Sequence, residues 1–472
     1  MASFLPGRVR RFGENHSSNL ALWVGIGFFV VYGLAAYMGA KQITMMIMLG
    51  IVACMGIVAL RLPLACCAAW VLLAGTTPET WVTLFLPGSE NIVTALVKVS
   101  GLGLVGVCVL RYGLVLDLFN PSFAFLMIFC IGLTHPLYPT LSVGDSVRSL
   151  IGAAAPFAFS FAKLPRRWSA LIIEAVMWVP LLTLFLGFLF FLAGLRPLLA
   201  PDEGGSVRLA GSTLPAFLGG FAMISSYAAL VELYRNGQNR NLYLLALNFV
   251  ILIGTGARAP LGCAAVVIGF AFVAIRSESF TLRKRVLPMI LGLLSLPVLL
   301  AVAATSSSIR LLTVLSDNAG GLSGRDVIWP FFKEAFAESP IIGWGLGTGK
   351  VLVDPDSLTA KLLGTTAAHN EYLRMGVDGG YVGIGLIMVL MTIWTLRWSS
   401  ILVRSDRIII RLVMFFFALQ SITDNTLIAP TASILFTWVS ALFARGQVEM
   451  AERLQGMPEP GVIDAEPLPH MA

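Results

Sequence analysis

Residues 169–194 read SALIIEAVMWVPLLTLFLGFLFFLAG, and Glu174 is the one charge in the run. Arg166 and Arg167 stand just ahead of it. A helix rises about 1.5 Å per residue, so a stretch this long and this apolar is what crosses a hydrocarbon core of roughly 30 Å. The same texture recurs in both directions. Apolar runs lie near 20–38, 43–60, 62–78, 92–110, 121–135, 147–162 and 169–194, then near 213–233, 241–255, 260–275, 286–304, 379–396, 408–423 and 428–444. Some fall short of the roughly 20 residues of a straight span, which predicts tilting or partial re-entry there.

Bulk composition agrees. Hydrophobic residues make up 57% of the chain and charged residues 12%, where a soluble domain carries about a quarter charged. With a mean hydropathy of +0.86, only a bilayer accepts so much apolar surface. The sequence predicts an all-α polytopic membrane protein with about 12–14 transmembrane helices. The first apolar run is followed at once by another, so it reads as a retained span rather than a cleaved signal.

The net charge of +7 does not require a nucleic acid partner. Twenty of the 32 Lys and Arg fall in alternate connections and the termini, from Arg8, Arg10 and Arg11 through Arg61, Arg111, Lys163, Arg235, Arg240 and Arg285 to Arg397, Arg445 and Arg453. That is the positive-inside pattern, which predicts both termini in the cytoplasm. The organisation that follows is a cytoplasmic N-terminus over 1–19, spans with short loops over 20–304 and a long outer loop over 305–375. C-terminal spans over 376–444 and a disordered cytoplasmic tail over 445–472 complete it. The long loop holds helix-forming sequence at 325–336 and a glycine-rich stretch at 343–349, and is expected to fold as a small cap. The six cysteines all sit in apolar runs without metal-ligand spacing, and read as buried small hydrophobes.

The polar residues that suggest chemistry gather on the outer face. Arg208 stands in Arg208-Leu-Ala-Gly211-Ser-Thr-Leu-Pro215, just before a span. Arg258 stands in Gly254-Thr-Gly-Ala-Arg258-Ala-Pro260, a tight turn between two apolar runs. An interfacial guanidinium can snorkel or cap carbonyls, or it can meet an anion. Glycines around Arg258 let the chain close on a ligand. The long loop adds Ser323-Gly-Arg325-Asp-Val-Ile-Trp329, Pro340-Ile-Ile-Gly343-Trp-Gly345-Leu-Gly347 and Ala368-His369-Asn370-Glu371-Tyr372-Leu373-Arg374. His369 is one of four histidines, with His16, His135 and His470. A lone histidine is commonly structural, but this one shares a face with the arginines, which suits a general base. Residues 343–350 are no Walker loop: that spacing needs glycine where Trp344 stands and a hydroxyl where Val351 stands. Asp354-Pro-Asp356 reads as a solvated turn, and neither a metal site nor a cofactor is expected.

In that order, the interfacial arginine, the Ser-Gly-Arg with Trp, the Pro-x-x-Gly-x-Gly and the His-Asn-x-Tyr-Leu before a glycine-bearing span resemble the bacterial O-antigen ligase and exopolysaccharide polymerase superfamily. The motifs run from Arg208 to Asp424. The resemblance implies a GT-C-like glycosyltransferase with a periplasmic helical cap in the bacterial inner membrane. It implies a donor glycan on undecaprenyl diphosphate, and an acceptor that is another glycan or the lipid A core. It also implies that Arg258 and Arg325 hold the diphosphate, that Arg208 is a further binding arginine, and that His369 activates the acceptor hydroxyl. Arg374 joins the expected substrate-binding set. Two departures stand out: Ala216 follows Pro215 where members often carry Asn, and Arg258 lies between Ala257 and Ala259 in place of a hydroxyl-Arg-small pattern. Asp424 stands where members often carry an acid.

The chemistry is coherent. A diphosphate leaves readily if fixed cations meet its charge, and planar guanidiniums suit phosphate oxygens. A sugar hydroxyl needs a base to attack. Ligase and polymerase share these motifs; the modest cap leans slightly to polymerase. The competing reading is a flippase or other transporter of lipid-linked oligosaccharide, which places ionisable residues near the midplane and often shows repeats. Glu174, Glu232 and Lys98 lie in apolar runs, but no repeat accompanies them.

Overall fold

A computed structural model describes residues 61–201, 207–281, 284–286, 325–363 and 365–455, with Gly50 and Val58. The runs at 20–38, most of 43–60 and most of 286–304, the first part of the long loop and the tail beyond 455 lie outside the described residues.

Helices occupy the apolar runs that are described: α1 Pro63–Gly75, α2 Glu90–Tyr112, α3 Ser122–Gly132, α4 Val143–Ala154, α5 Arg166–Leu192, α6 Pro215–Asn236, α7 Asn239–Gly254 and α8 Arg258–Ala274. Beyond the cap helix α9 Arg325–Glu338 come α10 Glu371–Ser399, α11 Arg404–Gln420 and α12 Pro430–Gln455. Of these, α2, α5, α6 and α10 are each long and apolar enough to cross a membrane alone. Helices α3, α7 and α8 are shorter apolar pieces, as the brief runs predicted. The protein is an all-α polytopic membrane protein. Among the described residues the strands are those of a small antiparallel pair, β1 Leu199–Pro201 with β2 Val207–Leu209, in a stretch expected to be a plain loop.

Helix α6 is the centre of the bundle and packs on α5, α7, α8, α11 and α12. Small residues let it do so. A Cβ on Gly219 would stand 2.6 Å from the Ala257 Cβ, and one on Gly220 2.6 Å from the Thr431 methyl. Close approach of this kind is what drives helix association in lipid, where burial of apolar surface contributes little. Two buried polar side chains bond across helices: the Ser225 hydroxyl donates to the Val176 carbonyl at 2.6 Å, and the Asn248 amide to Met177 at 3.1 Å.

The arginine-rich end of the bundle is tied by ion pairs. Arg235 meets Asp406 at 2.8 Å and also Glu449; Arg445 meets Glu232, and Asp406 at 3.5 Å. Helix α12 continues through these pairs to Gln455, so residues 445–455 of the expected disordered tail are helical. Arg240 pairs with Glu174 at the same end. The two acids that a transporter reading would use are therefore partnered by arginines near one end of the bundle.

Helix α10 is broken at Gly380, whose φ of 62° and ψ of −162° are open to glycine alone. The cap loop fills the break. Trp344 and Gly345 donate their amides to the carbonyls of Val377 and Asp378, and Tyr381 and Val382 donate theirs to Pro340 and Ile341, at 2.8–3.0 Å. This explains the glycine-rich motif physically. Gly343, Gly345 and Gly347 all take positive φ, and a Cβ on Gly343 would lie 2.5 Å from the Gly379 nitrogen. The motif is a wedge that fixes the cap to the head of a span.

Candidate active site

The backbone on both sides of His369 is pinned. The Trp329 indole of α9 donates to the Ala368 carbonyl at 2.8 Å, and the Glu371 amide donates to the Ser421 carbonyl, just past α11, at 2.8 Å. The Asn370 side chain caps α10 by accepting from Leu373 at 3.0 Å. His369 itself takes a φ of 48°, which is uncommon for a residue with a side chain. The result turns its half-exposed ring toward Asp424, with Nδ1 3.8 Å from Oδ1, while Nε2 lies 3.4 Å from the Thr365 hydroxyl. At 3.8 Å the carboxylate is beyond hydrogen-bond length. Such contacts commonly tighten when substrate binds.

Arg208 and Arg258 converge on one turn. Arg208 lies in β2, opposite Ala200 of β1. Its Nε donates to the Thr255 carbonyl at 2.8 Å. Gly256 takes a φ of 61° in that turn, and Arg258 opens α8 three residues after Thr255, exposed. The hairpin is anchored from below, because Arg196 donates to the carbonyls of Ser212 and Thr213, both at 3.0 Å. Helix α8 packs on α11, with the Cys263 thiol 3.9 Å from the Phe416 carbonyl. Arg258 lies five residues before Cys263 and Asp424 eight after Phe416, so the arginine turn and the His369–Asp424 pair sit at the same end of neighbouring helices.

Arg325 is the first residue of α9, one turn before Trp329, which places its backbone on the segment that pins His369. Its side chain lies outside the described residues.

Arg374 corrects the expectation. It is 3% exposed and lies between two buried carboxylates, Glu371 and Asp378. Its Nε donates to Glu371 at 2.9 Å and its Nη1 to Asp378 at 2.7 Å. Asp378 also accepts the Gly349 amide at 2.8 Å, and Glu371 the Leu427 amide at 3.3 Å. With its guanidinium saturated this way, Arg374 holds the cap, the head of α10 and the 421–427 turn together instead of facing a substrate. The spacing Glu371-x-x-Arg374-x-x-x-Asp378 puts all three on one helical face, a pattern present in the sequence itself.

An apolar groove of about 560 Å³ runs between α10 and α11. It is lined along its length by side chains such as Ile387, Met388, Met391 and Met414. At the cap end it reaches Glu371, Tyr372 and Ser421, within a few residues of His369 and Asp424. Among the described residues no cluster of His, Cys, Asp and Glu could hold a metal ion.

A helical membrane protein with a cap seated on a broken span, and with arginines and a histidine–aspartate pair at one end, is an arrangement suited to group transfer at a membrane surface. Residues 243–388 match the family model of O-antigen ligase, a match over that segment which supports the O-antigen ligase superfamily. The matched segment holds Arg258, Arg325, His369 and Arg374, while Arg208 and Asp424 lie outside it. No curated protein matches the chain.

Proposed function

We propose that this protein transfers a glycan from undecaprenyl diphosphate to an acceptor hydroxyl on the periplasmic side of the bacterial inner membrane. The observation that carries the reading is the placement of His369 with Asp424 at the bundle end that also bears the Arg208–Arg258 turn, where the apolar groove opens.

The acceptor hydroxyl oxygen attacks the anomeric carbon of the donor, and the bond from that carbon to the diphosphate breaks. His369 takes the hydroxyl proton, with the Asp424 carboxylate 3.8 Å from its ring. Arg258, with Arg208 and Arg325, meets the charge that develops on the departing diphosphate. A fixed donor of this kind contributes about 3 kcal/mol in a water-poor site. The groove between α10 and α11 holds part of the polyprenyl chain, which keeps the diphosphate at the interface.

A transporter places its ionisable groups along a path near the midplane of the bundle. Glu174 and Glu232 are instead ion-paired with Arg240 and Arg445. The test is to incubate purified protein with undecaprenyl-diphosphate glycan, with and without a lipid A core acceptor. Chain lengthening without the core assigns polymerase, and transfer to the core alone assigns ligase. No new glycosidic bond under either condition refutes the reading.

A further inference from the structure

Two lysines from separate elements meet on a face of α4 that this reaction leaves unused. Ser146, Ser149 and Gly152 follow one another at three-residue spacing along α4 and so share a face. Lys350, directly after the glycine-rich wedge, brings its Nζ to 3.3 Å from the Ser149 hydroxyl. Lys98 of α2 brings its Nζ to 3.4 Å from the Gly152 carbonyl, and a Cβ on Gly152 would stand 3.1 Å from that ammonium. The two anchor points are one turn apart, about 5 Å along the helix. Gly347 is needed for this approach, since a Cβ there would lie 2.5 Å from the Ser149 hydroxyl.

The surrounding charges neutralise the pair only in part. Glu79 faces Lys98. Asp378 is already bonded to Arg374 and Gly349, and Asp145 is paired with Arg148 at 3.3 Å. Lys350 is exposed, so a ligand reaches it, yet its ammonium is pushed down to about 8 by loss of water and by Lys98, Arg374 and Arg148, against the pull of Asp378. One turn along the same face, the Ser146 hydroxyl is 1% exposed and has no hydrogen-bond partner among the described residues. A buried donor without a partner, one turn of α4 from the Ser149 hydroxyl that Lys350 meets, fits a ligand rich in acceptor oxygens.

We propose that Lys98 and Lys350, with Ser149, form a second anion site, distinct from the arginine turn at 255–258, for a phosphate or carboxylate borne by a sugar of the bound glycan. The identity of the ligand rests on the glycan-transfer reading; the existence of the site does not. Gly349, next to Lys350, bonds Asp378, which stands seven residues along α10 from Glu371, or about 10 Å. A short oligosaccharide spans that separation from His369.

The site is tested without turnover. Full-length protein in lipid nanodiscs is acylated at pH 8 with an amine-selective reagent, and modification of Lys350 is read by peptide mass spectrometry. Inorganic phosphate and glucuronate serve as probes. Labelling of Lys350 is expected to slow several-fold with either probe, to slow equally in Arg258→Ala, and to lose this protection in Lys98→Gln. Labelling that neither probe changes at saturation overturns the proposal, whatever the transfer assay shows. Where transfer is measured, a raised KM for donor alone in Lys98→Gln/Lys350→Gln assigns the anion to the donor glycan. A raised KM for acceptor alone assigns it to the acceptor. Unchanged values for both overturn the role.

Discussion

Replacing Arg374 by alanine separates a packing arginine from a substrate-binding one. The substitution leaves the Glu371 and Asp378 carboxylates, 2% and 0% exposed, without their cation. Removing one partner of a buried ion pair is destabilising by about 3–5 kcal/mol. Here two acids are stranded together, so the upper part of that range applies. Because these acids also accept the amides of Gly349 and Leu427, the loss spreads to the cap and to the turn before α12. The assay is thermal unfolding in nanodiscs with size-exclusion monitoring, run beside Arg258→Ala. Arg374→Ala is expected to unfold at markedly lower temperature or to aggregate, while Arg258→Ala unfolds as the wild type does and loses transfer. Adding Glu371→Gln and Asp378→Asn to Arg374→Ala removes the stranded charges and is expected to restore part of the loss. Arg374→Ala that stays folded at the wild-type temperature but fails to retain the lipid-linked donor would refute this reasoning.

Other outcomes follow from the same geometry. Gly380→Ala puts a Cβ 2.3 Å from the Ile341 carbonyl in a glycine-only conformation; the strain and overpacking together cost about 2–6 kcal/mol, read as faster proteolysis of the cap. Trp329→Phe removes the donor to the Ala368 carbonyl and is expected to lower kcat tenfold or more through misplacement of His369, with the protein still folded. Lys350 titrates near 8 in the folded protein, against 10.5 ordinarily. The unfolded chain therefore binds more protons between those values, and stability is expected to rise with pH across that window and to flatten in Lys350→Gln. Protection of Lys350 by phosphate is expected to fade as pH rises through about 8, because the anion binds the protonated form.

Most of the bundle was legible because lipid imposes a simple rule: backbone groups must be satisfied within helices, so apolar runs become helices. Arg208, Arg258 and His369 stand out in the sequence for a related reason, since a cation or a histidine beside an apolar run needs a purpose. What the sequence concealed depends on contacts distant along the chain. The glycines at 343–347 lack Walker spacing, and their purpose emerges only when Gly380 breaks α10 and the loop supplies the missing partners. Arg374 looked like its neighbours in the motif, but two acids on its own helical face claim it. The pairing of Lys98 with Lys350 joins positions 252 residues apart (350 − 98) across α4, a juxtaposition that no local pattern encodes.

The reaction itself gives the sharpest test: glycosidic bond formation by purified wild type, His369→Ala, Asp424→Asn and Arg258→Ala from one polyprenyl-diphosphate glycan preparation. The geometry predicts a rate lower by about 10²–10⁴ for His369→Ala and about 10²–10³ for Arg258→Ala, with a smaller loss for Asp424→Asn and all variants folded. Wild-type rates in both His369→Ala and Arg258→Ala would contradict it.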